Sequence, residues 1–178
     1  MPLRRSLCAA LLCALPAVAA AQDTLAQDLK RLSLEELLNI EVTVVTRQPE
    51  PVRAAAASVS VITNEDLRRS GVTTIADAIA MADGMHVARF NSGSWAISTR
   101  GFNGSTPNKL LVMVDGRNAF SPFFTGVFWN TLDYVLEDIE RIEVVRGPGA
   151  TLWGANAVNG VINIITRHSR DTRGTLVT

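Results

Sequence analysis

Ile139-Glu140-Arg141-Ile142-Glu143-Val144-Val145-Arg146-Gly147-Pro148 and, a short way on, Gly160-Val161-Ile162-Asn163-Ile164-Ile165-Thr166 decide how this chain folds. In the first run Ile142 and Val144 share one face and Glu143 takes the other, the period-two pattern of a strand. The second run is an apolar strand of similar length. Upstream, Leu110–Val114 reads as another strand, and Asp115-Gly116 is a tight-turn signal before Arg117. Trp95–Arg100 and Met85–Arg89 are further strand candidates, and Ser58–Thr63 opens the compact part of the chain.

Two short helices fit between these strands. Thr63 with Asp66 can cap one that ends at Gly71. Thr74 opens another, with Ile75, Ala78, Ile79 and Ala82 along one face and Gly84 as its stop. Short strands interleaved with two short helices predict a small α+β domain.

The N-terminal third is organised differently. Arg4 and Arg5 precede an apolar run from Leu7 to Leu15, then small residues at Ala17, Ala19, Ala20 and Ala21. This is a secretory signal peptide, 1–21, with a mature start at Gln22; the run is too short to cross a bilayer as a helix. Both cysteines, Cys8 and Cys13, fall inside it, so the exported chain has no disulfide framework. Ala10-Leu11-Leu12 before Cys13 does not make a lipobox. Two of the 17 basic residues and none of the 17 acidic ones lie in the segment, so the remainder carries a formal charge of −2. That balance, with no concentrated basic face, excludes nucleic acid as a partner.

Ser33 stands three residues before Glu36 in a leucine-rich stretch, a capping-box pattern opening a short amphipathic helix. Next, Glu41-Val42-Thr43-Val44-Val45-Thr46 is rich in β-branched residues and favours extended backbone. Pro49, Pro51 and the alanines 54–57 should then break regular pairing. An isolated β-prone segment beside a flexible linker suits strand addition to a partner's sheet, although any edge strand has the same composition.

Catalytic and cofactor chemistry find little support. Gly147 and Gly149 follow a strand, but Leu152 stands where G-x-G-x-x-G needs its third glycine, and no Gly-Lys-Ser/Thr follows. Packing turns account for these glycines. His86 and His168 are far apart with no ligand neighbours at metal spacing, so no metal is assigned. No Ser/His/Asp set or carboxylate pair forms a catalytic constellation. We expect neither enzyme activity nor a cofactor. Six of the ten aromatics lie between Phe120 and Tyr134, in a stretch that Pro122 and Gly126 keep from being a regular element. Phe120, Phe123, Phe124 and Trp129 either pack on the core or face a ligand.

Thr99-Arg100-Gly101-Phe102, Leu111–Arg117, Ile139–Pro148, Leu152-Trp153-Gly154 and Ala157–Thr166 stand in an order and spacing that closely resemble the plug domain of TonB-dependent outer-membrane receptors. Trp153 replaces the commoner tyrosine and Asn159 the commoner glycine of that family. The resemblance implies an N-terminal extension (22–57) with a TonB box at 41–47, a plug at 58–168, and the start of a barrel strand at 169–178. It implies that Glu41, Val42, Thr43, Val44, Val45 and Thr46 bind the TonB C-terminal domain. It also implies that Arg100 and Arg146 meet carboxylates on the inner wall of a barrel of about 22 strands; the alternative is that they serve only the plug's own fold, through Glu143 or nearby carbonyls. The implied ligand is a scarce nutrient such as an iron–siderophore, haem or cobalamin.

Only twelve residues follow Thr166, whereas such a barrel needs well over about 200. A fragment, a truncated gene, a split receptor, or a free-standing periplasmic binding module are the alternatives. The expected location is the outer membrane as part of a receptor, or the periplasm for this chain alone. The mass of exported protein is expected to begin at or near Gln22; retention of Met1–Ala21 would contradict the export reading.

Overall fold

A computed structural model describes residues 40–176 apart from 46, 56, 105–107 and 124. The segment expected to be a signal peptide (1–21), the leucine-rich stretch before residue 40, Thr46 and Phe124 therefore lie outside the described residues. In the unit beginning at Glu41, the early strands are β1 (Glu41–Val42), β2 (Glu50–Pro51), β3 (Ser58–Thr63), β4 (Met85–Asn91) and β5 (Ser94–Thr99). The later ones are β6 (Leu110–Val114), β7 (Arg117–Asn118), β8 (Phe120–Ser121), β9 (Gly126–Val127), β10 (Ile139–Arg146) and β11 (Gly160–Thr166). The α-helices among the described residues are α1 (Asn64–Ser70), α2 (Ile75–Ile79) and α3 (Ala150–Trp153).

The main sheet has five strands in the order β3-β10-β11-β6-β7. β10 pairs antiparallel with β3 on one side and β11 on the other, while β11 pairs parallel with β6. Sequence patterning locates these strands but not the parallel pairing, which joins segments separated by the aromatic stretch. β4 and β5 form a separate hairpin, and β8 pairs with β9 inside the aromatic stretch itself.

Alternation along β10 and its neighbours sorts side chains onto two faces. Ile142, Val144, Ile162, Ile164, Leu110 and Val112 build the larger core with Leu67 of α1 and Ile75, Ala78 and Ile79 of α2. Val145, Val161, Leu111 and Met113 build a second, smaller core, closed by Ala157 and by Val44 from the N-terminal segment. Both faces are thus covered, which explains why β6 is buried at every one of its five positions.

Local signals fix the connections as read. Thr63 and Asp66 form a reciprocal capping box at the start of α1, and Gly71 closes the helix in the left-handed region at φ 68°. Thr74 caps α2 by accepting from the Asp77 amide. Asp115 and Gly116 both have positive φ, 49° and 75°, as a two-residue turn between β6 and β7 requires. The Asp115 carboxylate accepts from the Thr166 amide at 2.9 Å and its hydroxyl at 3.0 Å, tying the turn to the end of β11.

The structure departs from expectation in three places. α2 ends at Ile79, so Ala82 lies beyond the helix and Gly84, although its φ is positive, is not its stop. A third helix, α3, fills the glycine-bounded stretch for which the sequence suggests only packing turns. And residues 41–51 are neither isolated nor uniformly extended. β1 pairs with β2 despite Pro51, which sits at the end of a two-residue ladder where a missing donor is tolerated. The chain between them turns at Val44–Val45 and closes with the Arg47 amide donating to the Thr43 carbonyl at 3.0 Å.

Gly160 begins β11 at a point of close backbone approach. A Cβ there would lie 2.4 Å from the Val145 carbonyl oxygen, a backbone atom that cannot swing aside. Gly160→Ala is expected to lower stability by about 1–3 kcal/mol through overpacking; a urea melt superimposable on the parent's would refute that.

Candidate functional site

Three features sit on this scaffold. The first is the contact between the N-terminal segment and the second sheet face. Glu143 projects from β10 onto that face and has no exposed surface. One carboxylate oxygen accepts from the Thr43 amide at 3.0 Å and the Val44 amide at 3.1 Å, and the Thr43 hydroxyl also lies within reach at 3.2 Å. The other accepts from Arg141 Nε at 2.9 Å. Such bonds are charge-assisted, which is what makes a buried carboxylate tolerable.

Trp153 at the end of α3 closes the contact from the opposite side. Its indole Nε1 donates to the Val44 carbonyl at 2.8 Å. The Arg47 guanidinium lies over the same ring, 4.4 Å from its centroid, and donates to the Leu152 carbonyl. Val42 and Val44 are both buried beneath. Of the predicted segment, then, Glu41 to Val45 are placed together on the domain, with Thr46 outside the described residues.

The second feature is a pair of arginines where the open end of the β4–β5 hairpin meets the main sheet. Arg100 Nη2 donates to the Arg146 carbonyl at 3.4 Å, and Arg146 Nη2 donates to Ser58 Oγ at 2.6 Å. Arg146 Nε is buried without a partner, and no carboxylate of the described residues is within ion-pair distance of either guanidinium. Of the partners expected within the plug's own fold, Glu143 binds Arg141 instead, whereas Arg100 does reach a nearby carbonyl, that of Arg146. Arg100, Gly101 and Phe102 all have positive φ, so the chain leaves β5 through an unusual left-handed run. Asn159 steadies it, its side-chain amide donating to the Gly101 carbonyl at 3.4 Å.

The third feature is aromatic. Phe123 is 89% exposed and Phe120 half-buried, whereas Trp129 is only 7% exposed and belongs to the larger core. Phe124 lies outside the described residues. Near the closed end of the β4–β5 hairpin, Phe90, Trp95, Val127, Phe128, Trp129 and Asn130 line a cavity of about 240 Å³. Phe90 and Trp95 come from the hairpin, outside the aromatic cluster visible in sequence, which is why sequence reasoning misses them.

A small mixed sheet covered on both faces and flanked by short helices is the scaffold that carries these three features. The chain belongs to the TonB-dependent receptor plug family: the family model described as TonB-dependent Receptor Plug Domain matches residues 51–161, more than half its length. It is 30% identical over 164 residues to the vitamin B12 transporter BtuB of Vibrio vulnificus (strain CMCP6), covering 90% of this chain and 26% of that protein. BtuB of Photobacterium profundum is 31% identical over 131 residues, covering 73% of this chain and 21% of that one. The chain therefore spans about a quarter or less of these relatives.

Among solved structures, the ferric yersiniabactin uptake receptor FyuA of Yersinia pestis superposes with a TM-score of 0.52 at 29% identity, over 65% of this chain and 18% of that one. FpvAI, in its complex with pyocin S2, gives a TM-score of 0.60 at 23% identity, over 72% of this chain and 16% of that one, a likeness of fold. The family is one of receptors and transporters, not of enzymes.

Arg100→Gln is expected to shift the stability of this chain by no more than about 0.5 kcal/mol, as for an exposed residue without a carboxylate partner. A loss above about 2 kcal/mol in a urea melt would make Arg100 internal to the plug's own fold.

Proposed function

We infer that this chain is the gate of a TonB-dependent outer-membrane receptor. It occludes a barrel lumen, senses a bound nutrient and presents its N-terminal segment to TonB on the periplasmic side. The observation that carries the reading is that a β-prone segment, Glu41–Val45, lies on a plug domain yet outside its five-stranded sheet. A segment held in that way can leave without dismantling the sheet. TonB would then add to it edge to edge through main-chain hydrogen bonds, which tolerate varied side chains.

Arg100 and Arg146 complete the reading at the sheet end. Guanidiniums remain charged when partly buried and pair bidentately with carboxylates. Two of them side by side, with no acidic partner among the described residues, suit acidic residues on a surrounding barrel wall, which would hold the plug in register. On the aromatic side, the exposed Phe123 and the Phe90–Trp95 cavity suit the face of a bulky ligand. The names of relatives for vitamin B12 and ferric yersiniabactin support a scarce metal chelate as the ligand. Gating of this kind needs positioning and release but no covalent step.

Val42→Pro is expected to weaken binding of the TonB C-terminal domain at least about tenfold more than Val44→Ala does. Proline removes a main-chain donor and fixes φ, whereas alanine leaves the backbone intact. Equal effects in a pull-down would place the contact on side chains or on another segment.

A further inference from the structure

We propose that Asn103, with Gly104 after it, is a self-modifying site: its side-chain amide converts to a carboxylate without an enzyme, and that carboxylate gives the arginine pair an acidic partner within the chain. Asn-Gly occurs at 103–104 and at 159–160. Asparagine is a thermolabile side chain, and a following glycine favours its conversion because a residue without a Cβ leaves its backbone nitrogen open and free to turn. In the reaction the Gly104 nitrogen gives up its proton and bonds to Cγ of Asn103. The bond from Cγ to the side-chain nitrogen breaks, and ammonia departs with that proton. Water then opens the cyclic imide at either of its two carbonyls. A carboxylic acid results, which ionises at neutral pH.

The fold treats the two Asn-Gly pairs in opposite ways. Asn159 is buried, and its side-chain amide is held by the Gly101 carbonyl. Gly160 lies in β11, registered with Arg146 on one side and Leu110 on the other. The ring cannot close there until the sheet opens. Asn103 and Gly104 are both exposed and lie outside every helix and strand. Neither makes a hydrogen bond to another described residue, and the space beside the Gly104 Cα is empty to 4 Å.

The position of this loop gives the product its effect. Asn103 stands three residues after Arg100, a span of at most about 11 Å, comparable with a Debye length of about 10 Å at 0.1 M salt. No carboxylate of the described residues lies within ion-pair distance of Arg100 or Arg146, so the new negative charge arrives beside two guanidiniums that lack one. Where a surrounding barrel wall supplies acidic residues of its own, those residues and the new carboxylate compete for the same guanidiniums. Conversion at Asn103 itself needs no barrel.

For the test, the full chain is incubated in mildly alkaline buffer, digested with trypsin and mapped by mass spectrometry. Cleavage after Arg100 and Lys109 isolates 101–109, and cleavage after Arg146 and Arg167 isolates 147–167. Fragment ions separate Asn103 from Asn108 in the first peptide and Asn159 from its neighbours in the second. Asn103 is expected to convert at least about tenfold faster than Asn159, which must wait for the β10–β11 ladder to open. Gly104→Ala, which the open space accepts, should slow conversion at Asn103 by at least about tenfold. Urea melts of Asn103→Asp supply the second readout. At low salt the substitution is expected to raise the folded-to-unfolded ratio about two- to fivefold, as an exposed ion pair does. The gain should fade at about 1 M salt and vanish when Arg100→Gln is added. Conversion no faster at Asn103 than at Asn159, or as fast with Gly104→Ala as without it, would overturn the site. A gain that is absent, or that survives Arg100→Gln, would overturn the pairing of the new carboxylate with the arginines.

Discussion

A fully buried carboxylate in the middle of a sheet face is an expensive element, and Glu143 constrains everything placed above it. Leaving such a charge without partners costs several kcal/mol, far more than a surface ion pair returns. Arg141 is one partner on the same strand, but the remaining oxygen needs donors from another part of the chain. They come from Thr43 and Val44, about a hundred residues earlier in sequence. This one requirement fixes the path of the N-terminal segment and brings Val44 into the second core. It also sets the position of Trp153, whose indole reaches the same peptide group from the other side. Trp153 thereby has a double role, since the indole supplies a donor while its ring carries Arg47.

The arginine pair and the aromatic cavity lie toward opposite ends of a single hairpin. Met85 is registered with Thr99 at its open end, beside Arg100, and Asn91 with Ser94 at its closed end, beside Trp95. Thr99 Oγ1 donates to the Gly84 carbonyl at 3.0 Å, and Gly84 in turn packs against Arg146. The hairpin is therefore a short structural link between a charged surface and an apolar one. The left-handed run Arg100–Phe102 is the kind of backbone strain that persists only where surrounding structure demands it.

What can be read from the sequence is local, and what cannot is a matter of long-range pairing. The capping box at Thr63, the turn at Asp115-Gly116 and the alternation of Ile142, Glu143 and Val144 are decided within a few residues, and all three hold. The parallel ladder of β6 with β11 has no local signature. Alternation puts Glu143 on the face opposite Ile142, as the structure does. No period-two rule can tell that this face is buried as well, because the residues that bury it are distant in sequence. The same limit explains Trp129: clustering with phenylalanines marks it as apolar, but only the fold sends it inward while Phe123 points out. The arginines are legible through their motifs, and that no carboxylate of the described residues lies within ion-pair distance of them becomes visible only in three dimensions.

The order of strands in the main sheet has a mechanical meaning. β3 follows the docked segment directly in the chain and lies at the sheet's edge, held by a single ladder to β10. The ladders β10–β11, β11–β6 and β6–β7 all lie beyond it. Tension applied at the N-terminal side therefore loads the elements in series, first the β1–β2 pair and the bonds to Glu143, then β3. A sheet whose first strand lay at its centre would transmit the same pull to two ladders at once and resist as a block. Here a pull on the rim strand bears on the β3–β10 ladder alone, while the ladders β10–β11, β11–β6 and β6–β7 stand outside its direct path.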